Sequence, residues 1–148
     1  MKKFHFQIPE RILHLVELKI WPLNSLEAKF QNTKSFVNEE LISKIAPDES
    51  SIYFSGFESF DTLENEFSQN YEFWVKEGAI NEINPKNCIV IGDFGLGSDA
   101  PIVLDYSNNP SNPSVKRLVW GKQKNYWEKI ADNIDELLNK LEFGINAT

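Results

Sequence analysis

Apolar and polar positions are most sharply patterned between Asn87 and Trp120. Cys88 to Ile91 and Ile102 to Leu104 are short, β-branched apolar runs, and Asp93 to Pro101 between them is rich in glycine and acidic residues. That pattern predicts a strand, a tight loop and a second strand. The tract Ser107 to Ser114, SNNPSNPS, carries residues that preset φ or tolerate left-handed backbone, and Val115 to Trp120 then reads as a third strand. The expectation is an antiparallel meander at the centre of the fold. Val115 to Val119 is expected as an edge open to a second copy, or blunted by Lys116 and Arg117.

Helical spacing governs much of the rest. Pro9 and Glu10 open a first turn, and Ile12, Leu13, Val16 and Ile20 fall on one face before Trp21-Pro22 ends the helix. Leu23 to Ala46 is predicted as two helical pieces, with Phe36, Leu41 and Ile45 facing a core and Pro47-Asp48 closing the segment. Ser51 to Phe57 alternates as a strand. Ser59 or Asp61 is expected to cap a helix along which Leu63, Phe67, Tyr71 and Trp74 recur, ending near Gly78. Tyr126 to Phe143 carries the clearest helical signal, with Asp132 as a candidate cap, Asp135 near the positive helix end, an apolar stripe of Ile134, Leu137, Leu138 and Leu141, and Gly144 as the stop.

The 148 residues and 41% hydrophobic content fit one α+β domain spanning 1–148, a central, mostly antiparallel sheet flanked by helices. No apolar run approaches the roughly 20 residues of a membrane span, and the N-terminal stretch lacks a clean signal-peptide core, so a cytoplasmic protein with no membrane partner is expected. The single cysteine, Cys88, agrees with a reducing compartment. A net charge of −7 argues against nucleic acid as partner and suits either simple solubility or attraction to a basic protein.

Candidate chemistry is sparse. His5, His14 and Cys88 have no zinc spacing, and no nucleophile elbow can be read. Asp93-Phe94-Gly95 matches a kinase tripeptide without the other kinase motifs, and Gly92 to Gly97 is spaced G-x-x-G-x-G, not as a dinucleotide fingerprint. No cofactor or metal is implied. Asp93, Asp99 and Asp105, six apart across a hairpin, lack calcium-loop spacing; they serve as turn-stabilising side chains or as contacts to a partner at one end of the sheet. Trp120 and Trp127, with Trp74 and Tyr126, are core anchors or interface aromatics.

The hairpin IVIGDFGLGSDAPIVLDY, the strand ending in Trp120 and the closing WEKIADNIDELLNKL, after a first amphipathic helix and a Trp-Pro segment, together resemble the SUKH superfamily. This group contains the Smi/Knr regulators of fungal cell-wall glucan synthesis and many bacterial immunity proteins. The resemblance is carried best by 89–141, with the insertion-like SNNPSNPS and the region from Leu23 to Glu58 departing from it. It implies an α+β fold and a non-catalytic protein that binds proteins, in bacterial members a toxin and often a nuclease. Candidate partner contacts are then Asp93, Asp99, Asp105, Trp120 and Trp127. Three functions follow as expectations: immunity-type neutralisation of a basic toxin domain, a regulatory scaffold in glucan synthesis, and, remotely, a small hydrolase using the aspartate hairpin. Fungal regulators are expected to carry flanking arms, and the compact chain favours the bacterial type. Oligomeric state stays open.

Overall fold

The computed structural model describes residues 4–29, 37–95 and 100–144. Among these the predicted meander is present as β3 (Cys88–Phe94), β4 (Pro101–Asp105) and β5 (Ser114–Val119). They belong to one open antiparallel sheet of order β1-β3-β4-β5-β6, with β1 (Ile52–Phe54) and β2 (Asp61–Thr62) lying end to end beside β3, and β6 (Tyr126–Ala131) outermost. β5 is therefore paired on both sides, and the edge expected at Val115 to Val119 lies one strand further on. The fold is α+β.

Two bulges set which residues face where. A bulge gives one strand an extra residue, so two consecutive side chains fall on the same face. Between Val90 and Gly92 the β3–β4 register shifts, and between Val115 and Lys116 the β5–β6 register shifts. Ile130 and Ala131 accordingly both join the larger of two buried clusters, together with Ile89, Ile91, Ile102, Leu104 and Val115. Gly92 sits where β1 closes on β3; a Cβ there would lie 2.5 Å from the Tyr53 carbonyl oxygen, which only glycine avoids.

The larger cluster is covered by α1 (Glu10–Glu17), α3 (Glu39–Ile45) and α6 (Ile134–Lys140), with α2 (Ser25–Lys29) on the connecting segment. In α1 the fully buried positions are Ile12 and Leu15, with Leu13, Val16 and Ile20 packed beside them. Ile42 is the deepest residue of α3, flanked by Leu41 and Ile45; Phe36 lies outside the described residues. An aromatic knot ties Trp21 and Phe143 to β1: the Trp21 ring lies tilted on Phe54 at 4.4 Å, and Phe143 lies 4.8 Å from the same ring. Each such fully buried side chain contributes about 1.5–3 kcal/mol.

The C-terminal segment differs from the expected single helix. Tyr126 to Ala131 is strand β6, and only Ile134 to Lys140 is helical, because the aromatic and β-branched residues of 126–130 pair across β5 while Asp132-Asn133 break the run. Asn133, not Asp132, caps α6, accepting from the Glu136 N–H at 2.9 Å. Gly144 does end the segment, at φ +68°.

Candidate protein-binding face

The opposite face of the sheet exposes Cys88, Val103 and Leu118, which would be in water without a second layer. One contiguous segment supplies it. Thr62 caps α4 (Leu63–Ser68) by accepting from the Asn65 N–H at 3.2 Å, the role expected of Ser59 or Asp61. Leu63, Phe67 and Trp74 keep the predicted spacing, but Gln69-Asn70 form a turn that splits the helix into α4 and α5 (Tyr71–Lys76). Phe67 and Trp74 pack ring to ring at 5.2 Å over the sheet, and Gly78, φ +71°, turns the chain after α5.

The layer is pinned to the sheet by its polar tips. The Trp127 indole N–H donates to the Ala79 carbonyl at 2.6 Å, and the Asn125 amide donates to the Glu77 carbonyl at 2.8 Å. Trp127 is thus a half-buried anchor on β6 rather than a free contact. Trp120 differs. It is 39% exposed, with its ring 6.1 Å from Phe73 of α5, and it borders a cleft of about 520 Å³ with Lys76, Glu77 and Lys124.

The three aspartates do not come together. Asp93 is opposite Pro101 at one end of the β3–β4 ladder, and Asp105 is opposite Cys88 at the other. Four residue steps along β4 separate those ends, roughly 14 Å. Both are buried, at 7% and 5% exposure, which removes them from direct contact with a partner in this conformation. Asp99 lies outside the described residues. Asp105 fulfils the turn-stabilising expectation: its Oδ1 accepts from the Ser107 N–H at 2.9 Å and its Oδ2 from Lys116 Nζ at 2.7 Å. Burial alone raises its pKa, but the bonds from Lys116 and Ser107 outweigh that and hold the carboxyl below its ordinary value. Burial, then the nearby Asp105 charge, pushes the Cys88 thiol well up, so it is a poor nucleophile. Asp93 lines a small cavity of about 160 Å³ under the α4–α5 layer with Tyr53, Glu66 and Trp74.

The exposed chemistry lies elsewhere. Residues 58–82 hold seven Asp and Glu against one Lys, a net of −6 out of −7 for the chain. Glu58, Glu64, Glu72 and Glu82 are exposed there, interspersed with exposed Tyr71 and Val75 on successive turns of α5. The outer side of the layer is therefore acidic with aromatic and aliphatic points, and Trp120 continues it. Charge summed by segment signals this in the sequence; the whole-chain total hides it, because the flanking parts are nearly neutral. Among the described residues no group of three or more His, Cys, Asp or Glu is placed to hold a metal ion, and no helix is long and apolar enough to cross a membrane. Comparison with known protein families, with curated proteins and with solved structures finds no match.

Proposed function

We propose that the chain is a non-catalytic, cytoplasmic protein-binding domain of the immunity type, which neutralises a basic toxin domain by covering its substrate-binding cleft. The observation that carries this reading is the segregation of charge: the α4–α5 layer holds nearly all the net negative charge and presents Tyr71, Val75 and Trp120 among its carboxylates. A nucleic-acid-cleaving domain keeps lysines and arginines around its cleft to hold phosphates. An acidic face steers such a partner and suppresses wrong ones, while buried aromatics supply the lasting contact. The SUKH resemblance and the α+β fold support the same reading, and blocking by occupancy asks for no catalytic group.

The test is capture of partners on the tagged chain from its own cells, including proteins encoded beside it, with a salt step and a nuclease assay of what elutes. A basic domain should be released as salt rises, and its activity should fall when the chain is added back. Replacing Glu64 and Glu72 by Lys should weaken both effects. Capture of cell-wall synthesis components that the charge reversal leaves unchanged would instead establish the regulatory scaffold, and capture of nothing would leave the immunity reading without support.

A further inference from the structure

The two edges of the sheet are finished differently. At one, β1 and β2 are only three and two residues long and the connection between them is tied to the preceding segment: the Phe57 N–H donates to Pro22 O at 2.9 Å, the Glu58 N–H to Leu23 O at 2.8 Å, and the Trp21 indole N–H to Ser55 O at 3.0 Å. At the other, β6 is six residues long and bonded only to β5, and among the described residues no backbone hydrogen bond reaches its outer side. A row of open N–H and C=O groups is a template for another strand.

Beside that edge runs an open groove of about 600 Å³, walled by Leu41, Lys44 and Ile45 of α3, by Lys140 of α6, and by Glu128, Lys129 and Ile130 of β6. Glu128 stands across from Arg117 on the face of the larger cluster, while Lys129 stands across from Lys116 on the other face. Space that touches both lies along the strand's edge, not above one face.

We propose that this edge takes an extended, carboxylate-bearing segment of a partner protein as an added strand. Backbone bonds to β6 supply affinity; on the α3–α6 side, apolar side chains of the segment lie against Leu41, Ile45 and Ile130 and carboxylates between them meet Lys44 and Lys140, while a carboxylate on the other face meets Lys129. The charge of the groove selects this occupant. Lys44 has no ion pair among the described residues, and Glu128 is already committed to Arg117 at 3.0 Å. Lys129 and Lys140 are held only by Asp132 at 2.7 Å and Glu136 at 3.0 Å, neighbours on their own stretch of chain. Such exposed pairs contribute little and exchange readily for an incoming carboxylate. A second copy fits less well, because a two-fold interface sets a patch against itself and would bring these lysines face to face. The site is separate from the acidic α4–α5 layer and does not depend on it.

The probe is a fluorescein-labelled, blocked heptapeptide, Val-Val-Glu-Glu-Val-Val-Glu, which sets both valine and glutamate on each face of an extended chain, titrated into the full chain by anisotropy, beside the same peptide with lysine for glutamate. Saturable binding tighter than about 1 mM is expected, at least tenfold weaker for the lysine peptide and for the double variant Lys44→Glu, Lys140→Glu, whose fold is checked by circular dichroism. Amide shifts should concentrate at 126–131 and 39–45. Absence of saturation, equal binding of both peptides, or shifts confined to α4 and α5 would overturn the proposal. So would a chain that sediments as a dimer through β6, since the edge would then belong to a second copy.

Discussion

The two faces of the sheet are built by different means. The face under α1, α3 and α6 gathers its buried cluster from Ile8 to Phe143, so almost every part of the chain contributes and none can leave alone. The face under α4 and α5 is covered by one local segment, which packs a smaller cluster and carries nearly all the net charge. A layer contributed by neighbouring residues can change its outer surface without disturbing contacts made elsewhere. The chain thus keeps its cohesion on one side of the sheet and its candidate recognition surface on the other.

The contrast is broken most directly at Phe54, 1% exposed and packed on both Trp21 and Phe143. Phe54→Ala should cost about 3–5 kcal/mol and lower the stability of the whole chain in urea. A loss under about 1 kcal/mol would show that the larger cluster is not what holds the chain together. Trp127→Phe keeps an aromatic ring but removes the donor to the Ala79 carbonyl together with part of the indole's volume, costing about 1–3 kcal/mol. Hydrogen exchange should then rise in 63–80 and stay slow in β3 and β4. Uniform acceleration would mean that the two layers unfold as one.

Acidity sharpens the comparison further, because each face has a carboxylate held below its ordinary pKa. On the smaller-cluster face it is Asp105; on the larger it is Asp48, lowered chiefly by the hydrogen bonds from Arg117, which reaches it at 2.9 Å while also holding Glu128. A carboxyl with a depressed folded pKa adds stability that is fully present above the unfolded value, about 4, and is lost as pH falls through the folded one. Stability should therefore decline below about pH 4. Asp105→Asn, at a cost of about 1 kcal/mol near neutrality, should flatten that decline. An unchanged acid limb in the variant would remove Asp105 from the account. Asp48, half exposed, should matter less.

How much of this was legible depended on whether the signal was local. The meander was, since its runs are short, apolar and separated by glycine, proline and asparagine turns. β6 was not: Tyr126 to Ala131 leads without a glycine or proline into the helical stripe of α6, and only pairing with β5 gives it an extended backbone. The spatial separation of the aspartates is likewise not a local signal. Asp93 and Asp105 flank one hairpin in sequence, but antiparallel register carries them to opposite ends of it, and burial turns Asp105 inward to Lys116. The acidic layer is legible in the charge of 58–82, which the whole-chain total conceals because the flanking parts are nearly neutral.

A small effect on stability is expected where the effect on function is largest. Glu64 and Glu72 are exposed and face outward from α4 and α5. Reversing both to Lys should cost about 1 kcal/mol in all, because each lies in the first turn of its helix, where a carboxylate suits the positive helix end and a lysine opposes it. It should nonetheless raise the net charge of the layer from −6 to −2, lowering the association rate with a basic partner and flattening its dependence on salt. A variant that folds as stably as its parent and binds at the parent's rate would show that the acidic layer serves solubility alone. A variant that loses more than about 2 kcal/mol, beyond what two first-turn lysines cost, would show that the outer carboxylates are part of the layer's structure, and the separation of cohesion from recognition across the sheet would fail.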